Sequence, residues 1–153
     1  MSLSTRTCFW FESGALEAAE LYVSLLPDSR IDLVRRPGPD APPIMVDFTL
    51  AGTPYCALNG GPHYRLSAAA SIVVRCDSQA AADDLWDVLS DGGEEIQCGW
   101  LTDRYGLSWQ ILPGDIDTWL FGPNPAGAKR AFEAMMGMKR LDLAALRAAY
   151  ESA

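Results

Sequence analysis

The pattern of apolar and polar positions changes period several times along the chain. Thr7-Cys-Phe-Trp-Phe11 is dense in strand-forming residues and stops at Ser13-Gly14, which predicts a β-strand. Ala18, Leu21, Tyr22 and Leu25 then recur at three- and four-residue spacing before Pro27, which predicts a helix with Ser13 as its N-cap. Ile31 to Arg35 reads as a second strand, and the Pro-rich stretch Pro37 to Pro43 as a loop, because proline removes the donor that a regular element needs. Ile44 to Leu50 and Tyr55 to Leu58 are expected to pair antiparallel around a turn from Ala51 to Pro54.

After Asn59-Gly-Gly-Pro62 the same order begins again. Ser71 to Cys76 is a strand, and Asp77 or Ser78 caps a helix with the apolar face Ala81, Ala82, Leu85, Trp86 and Leu89, closed by Asp91-Gly-Gly93. Glu94 to Leu101 and Leu107 to Leu112 read as strands around the turn Thr102 to Gly106, one strand fewer than the first half unless Glu94 to Leu101 is broken in two. Beyond Gly114 the character is helical. Asn124-Pro125 is a cap and first helical residue before the stripe Ala128, Phe132, Met135, Met136, and Asp142 caps a last helix bearing Leu143, Leu146 and Tyr150.

Length and charge narrow the function classes. With 153 residues, 49% of them hydrophobic, the chain is sized for one domain with a substantial core. A net charge of −8 with scattered basic residues argues against a nucleic-acid partner, which requires clustered Lys and Arg. The polar start, Met1 to Arg6, and the lack of an apolar run near ~20 residues predict neither signal peptide nor membrane span, hence a cytoplasmic protein. Cys8, Cys56, Cys76 and Cys98 lie far apart without a C-x-x-C pair and read as reduced, small apolar side chains.

The duplicated order resembles the vicinal oxygen chelate (glyoxalase, bleomycin-resistance, dioxygenase) superfamily. Leu21-Tyr22 and Leu85-Trp86 stand where that superfamily often has Phe-Tyr, and Asp103-Arg-Tyr-Gly106 resembles its Asp-x-x-Gly turn before the final strand. The string from Gln97 to Pro113, with Ala57-Leu-Asn-Gly-Gly-Pro62 and Met138 to Leu146, is similar to the PhnB-like branch, often labelled 3-demethylubiquinone-9 3-methyltransferase. The resemblance implies an α+β fold: two βαβββ modules forming a cupped mixed sheet, with a C-terminal helical extension. The single glyoxalase-like domain then spans 1–153, with modules at about 5–60 and 69–113 and a helical tail at 114–153. It also implies a homodimer. Methyl transfer is not expected, because Asn59-Gly-Gly-Pro62 and Asp91-Gly-Gly93 lack the strand, spaced glycines and helix that cradle a nucleotide-like cofactor.

Metal-dependent members take ligands from the first and last strands of each half. Counting back equal intervals from Leu21-Tyr22 and Leu85-Trp86 puts Thr7 and Ser71 at the first-strand places, and aligning Gly52 to Cys56 with Gly106 to Gln110 puts Cys56 and Gln110 at the last-strand places. Thr, Cys, Ser and Gln offer no imidazole and no carboxylate, so no metal and no cofactor are expected. With Ser108 they can instead give an uncharged hydrogen-bonding floor, with Phe9 and Trp100 as aromatic walls and Trp109 in the core.

His63, the only histidine, is a candidate base or contact residue near Asn59 and Tyr64, set against the plainer reading of a solvated turn residue. Glu94 and Glu95 are adjacent on a strand, so they face opposite ways and cannot share one proton. Three functions stay open: metal-free binding of an unknown small molecule, a metal-dependent lyase, isomerase or dioxygenase-like enzyme, and an interaction module using Met135, Met136 and Met138.

Overall fold

The computed structural model describes residues 3–152; Met1 and Ser2, where the polar N-terminus begins, and Ala153 lie outside them. The chain divides between Leu66 and Ser67 into two compact units, and the helical tail belongs to the second.

The first unit runs β1 (Thr7–Phe11), α1 (Ala15–Leu25), β2 (Arg30–Arg35), β3 (Met45–Leu50) and β4 (Thr53–Asn59). Its sheet has the order β1-β4-β3-β2, with β1 parallel to β4 and the other pairs antiparallel. Leu50 opposes Thr53, so the β3–β4 turn is only Ala51 and Gly52, at φ 45° and 81°. Both central residues of such a tight turn sit at positive φ, and the turn is shorter than expected because Thr53 and Pro54 already belong to β4. Pro54 is tolerated there at the start of the strand. Ser13 does not cap α1. Gly14 takes the cap position in a left-handed conformation, and Asn59 Oδ1, from the end of β4, accepts the Ala15 N–H at 2.8 Å. One face of the sheet is closed by α1: Phe9, Phe11, Val46, Phe48, Leu50 and Ala57 are buried with Ala15, Ala18, Ala19 and Tyr22. Three alanines let the helix approach closely, and Leu21 and Leu25 are left only half-buried at its flank.

The second unit repeats the order with β5 (Ser71–Cys76), α2 (Gln79–Ser90), β6 (Glu94–Glu95), β7 (Trp100–Thr102) and β8 (Ser108–Pro113). Its sheet is β5-β8-β7-β6, again with the first strand parallel to the last. The fourth strand is present because the segment after α2 is indeed broken in two. Cys98 and Gly99 sit at φ 63° and 80°, and their N–H groups donate to Met138 and Lys139 carbonyls of the tail, both at 2.7 Å, instead of continuing the ladder. Ser78 caps α2 by accepting from Ala81 N, and Ala82, Leu85, Trp86 and Leu89 are buried, while Ala81 is exposed.

The tail forms α3 (Asp117–Leu120), α4 (Pro125–Met136) and α5 (Leu143–Glu151). Asn124 and Asp142 cap α4 and α5 as expected, accepting from Gly127 N and Ala145 N. The buried side of α4 is turned from the expected stripe: Gly127 and Ala131 face inward, Met135 is half-buried, and Phe132 and Met136 are exposed. Close packing explains the turn, since a Cβ at Gly127 would lie 2.6 Å from the Tyr150 carbonyl of α5. Ile116, Leu141 and Leu146 form the centre of this cluster, with Met135 and Met138 packed on it. Among the described residues no helix is long and apolar enough to cross a membrane.

Candidate functional site

In the second unit, alternation along β8 sends Ser108, Gln110 and Leu112 to one face and Trp109 and Ile111 to the other. The second of these faces belongs to α2. Ile72, Leu101, Trp109 and Ile111 are buried there with Leu85, Trp86 and Leu89. On the face turned away from α2, ladder pairing sets Ser71 beside Ser108, Trp100 beside Gln110, and Thr102 beside Ser108. Gln110 Nε2 donates to Ser71 Oγ at 2.9 Å, and the Thr102 and Ser108 hydroxyl oxygens are 3.4 Å apart. Ser71, Trp100, Ser108 and Gln110 are thus brought together as an uncharged polar row beside one indole.

A single turn positions that row. Asp103 is buried, and its Oδ1 accepts from Tyr105 N at 2.8 Å and Leu107 N at 3.1 Å while Oδ2 accepts from Trp109 Nε1 at 2.8 Å. Gly106, at φ 90°, completes the reversal. The carboxylate therefore ties the turn to β8 from both sides and sets which residues of that strand face outward.

In the first unit the arrangement differs from the expectation. Thr7 pairs with Tyr55 and Cys8 with Cys56, so Thr7 and Cys56 point to opposite faces of the sheet. The physical reason is connector length. Glu12, Ser13 and Gly14 separate β1 from α1, whereas only Asp77 and Ser78 separate β5 from α2. Equal intervals counted back from the helices therefore land one residue apart in register, and one residue reverses the face. Phe9 faces α1, buried, with its ring stacked 5.5 Å from Tyr55 and no access to an outward wall. His63 lies exposed in the turn after β4.

The face turned away from α1 carries side chains of a different kind. Trp10, an aromatic that the motif reading passed over, donates Nε1–H to the Gly61 carbonyl at 2.9 Å and meets Tyr64 edge-on at 4.9 Å. Asp47, 7% exposed, receives Arg35 at 2.6 Å and Arg6 at 3.3 Å. The Arg35 hydrogen bond chiefly, helped by the charges of Arg35 and Arg6, holds the Asp47 carboxyl below the usual carboxylate range. Cys56, ladder partner to both Asp47 and Cys8, is buried, and burial together with the adjoining Cys8 thiol pushes its own thiol up to about 11. Only the strand-face alternation of Arg6, Cys8 and Trp10 signalled this cluster in the sequence.

Neither donor set fits a hard divalent cation. The second unit's row is neutral hydroxyl and amide, and in the first unit the Asp47 carboxylate is committed to two guanidinium groups beside a thiol that keeps its proton. Among the described residues no group of three or more His, Cys, Asp or Glu is gathered in a way that could hold a metal ion. The glycine segments act as turns: Gly60 packs against the Trp10 ring after β4, and Gly92 and Gly93 lead from α2 into β6.

A hollow of about 340 Å³ lies elsewhere in the second unit, lined by Gln79, Trp119, Leu143 and Arg147 among others. Its polar capacity is largely spent. Gln79 already serves the Leu141 carbonyl, Asp83 and Leu143 N, and Arg147 stacks on Trp119 while pairing with Glu151.

Residues 4–112 match the model of the family described as 3-demethylubiquinone-9 3-methyltransferase. Among solved structures, the PhnB protein from Bacillus cereus, described with that same methyltransferase label, is 28% identical with TM-score 0.66 over 72% of this chain and 98% of that one. Protein PA1353 from Pseudomonas aeruginosa is 21% identical with TM-score 0.58, covering 71% of this chain and 95% of the other. The fosfomycin resistance protein FosX from Listeria monocytogenes, in complex with Mn(II) and sulfate, is 11% identical with TM-score 0.51, over 79% and 97% of the two chains. No curated protein matches the chain.

Proposed function

Because the chain belongs to the 3-demethylubiquinone-9 3-methyltransferase family, whose fold is that of the vicinal oxygen chelate proteins, we propose that it binds a small molecule through uncharged hydrogen-bonding groups rather than through a metal ion. The observation that carries this reading is the row on β5, β7 and β8: Ser71 bonded to Gln110, Ser108 beside Thr102, and Trp100 alongside. Among the described residues Gln110 uses one amide hydrogen on Ser71, which leaves its carbonyl and second N–H to serve a ligand. A ligand suited to this row has a planar portion that stacks on Trp100 and neutral donors and acceptors at its edge. The Mn(II) named with FosX belongs to FosX; the donors here call for different chemistry. Methyl transfer has no support from either glycine segment, which leaves the family label as a name for the lineage. As the family resemblance implies, the working form is a homodimer.

A thermal-shift screen of neutral heteroaromatic amides and ureas tests the site. Gln110→Ala is expected to weaken a hit about two- to tenfold, the range of one net hydrogen bond, and His63→Ala to leave it unchanged. The reverse ranking overturns the assignment. Zinc, nickel, manganese and iron titrations are expected to leave the melting temperature flat, whereas near-stoichiometric uptake with stabilisation would replace metal-free binding by the enzyme reading.

A further inference from the structure

The first unit holds a feature that small-molecule binding does not use. Cys8 and Cys56 are direct ladder partners on parallel neighbouring strands, and both side chains leave the sheet on the face turned away from α1. All four cysteines are free thiols. Ladder partners sit about 4.8 Å apart between strands, within the Cα separation of about 4.4–6.8 Å that a disulfide spans. The Cys8 thiol adjoins that of Cys56 closely enough to help raise it. Their environments differ: Cys8 is exposed, whereas Cys56 is buried with Asp47 on its other side.

We infer that Cys8 and Cys56 form a peroxide-oxidisable dithiol that closes to a reversible disulfide across β1 and β4. Cys8 is the sulfur that meets the oxidant, because it alone of the pair faces solvent. Its thiolate attacks a hydroperoxide oxygen, the O–O bond breaks, and the departing alkoxide or hydroxide takes up a proton, leaving Cys8 as a sulfenic acid. The Cys56 sulfur then attacks the Cys8 sulfur. The S–O bond breaks, and hydroxide leaves with the Cys56 proton as water. Two thiols have given up two electrons, and the peroxide has become an alcohol or water plus one further water. Burial keeps Cys56 from competing for the oxidant, while its ladder register holds it beside the sulfur it must attack. Parallel ladder partners project side by side, so drawing the sulfurs to bond length strains the strands. Strained disulfides are the readily reduced ones, and ready reduction makes the bond reversible.

The test uses the intact chain. Treatment with hydrogen peroxide, then unfolding and thiol titration, is expected to find two of the original four thiols lost and recovered by dithiothreitol. Peptide mapping should show Cys8 joined to Cys56 within one chain. In Cys56→Ser, Cys8 should stall as a sulfenic acid that dimedone traps, and Cys8→Ser should lose no thiol at the same peroxide dose. Circular dichroism confirms that both variants are folded, and Cys8→Ser, at an exposed position, serves as the fallback if Cys56→Ser is not. Four surviving thiols, a bond from Cys8 or Cys56 to Cys76 or Cys98, or a bond only between chains would each overturn the inference.

Discussion

Replacing Asp103 with alanine should destabilise the second unit by about 3–5 kcal/mol and disturb the row that β8 presents. The magnitude follows from three donors. Leu107 N and Trp109 Nε1 are buried and lose a charged acceptor worth about 1.5–3 kcal/mol each, while the half-buried Tyr105 N can turn to water. For a chain of this length, such a loss lowers the melting temperature by on the order of 10 °C. Asp103→Asn separates charge from shape. Its remaining oxygen can keep Tyr105 N and Leu107 N, but its amide N–H then faces the indole N–H of Trp109, donor against donor. A cost near half that of alanine is expected, roughly 2 kcal/mol. Urea unfolding followed by far-UV circular dichroism measures the loss, and tryptophan fluorescence reports on Trp109. A loss below about 1 kcal/mol for alanine, or equal losses for alanine and asparagine, would refute the idea that this carboxylate anchors the strand.

Asp47 makes stability sensitive to acid. Its folded carboxyl is held below the ordinary value, so its contribution is complete above about pH 4 and drains away as the pH falls through the folded value, which acid titration of the urea midpoint reads. Arg35→Gln should shrink that acid dependence by removing its chief cause, and an unchanged slope would show that Arg35 is not that cause. Gly60→Ala should cost about 1–3 kcal/mol, because a Cβ there would lie 2.2 Å from the Trp10 ring and must push the indole off its bond to Gly61; an unshifted melting curve would contradict that contact. Light scattering should give twice the chain mass at micromolar concentration, and a monomer throughout would remove the homodimer.

Elements whose signals are local could be read from the chain, and elements decided by distant partners could not. The strand at Ser71–Cys76, a cap at Asp77 or Ser78, the caps Asn124 and Asp142 and most of the buried face of α2 each depend on residues a few positions apart. The cap of α1 depends on Asn59, forty-four positions away, so the nearby Ser13 misled. Likewise the break between β6 and β7 exists because carbonyls at Met138 and Lys139 take the N–H groups of Cys98 and Gly99, a bargain struck across forty residues. For the site, the second unit's row was legible because Ser108 and Gln110 alternate along one strand and Ser71 is their ladder neighbour. The first unit's face was not, since it hung on a connector one residue longer.

That single residue has chemical consequences, because the two units share strand order and pairing sense yet expose unlike surfaces. With β1 one step back relative to its helix, Arg6, Cys8 and Trp10 take the places that Ser71, Val73 and Arg75 hold on β5, while Thr7 and Phe9 turn towards α1. A charged guanidinium and a thiol thereby join Cys56 and Asp47 on one unit, and a neutral hydroxyl joins Gln110 on the other. Backbone topology alone would have given both units the same face. Divergence between duplicated halves needs no change of fold when the length of one turn decides which alternate residues look outward, and thiol chemistry can then settle on one half while hydrogen-bonded recognition occupies the other.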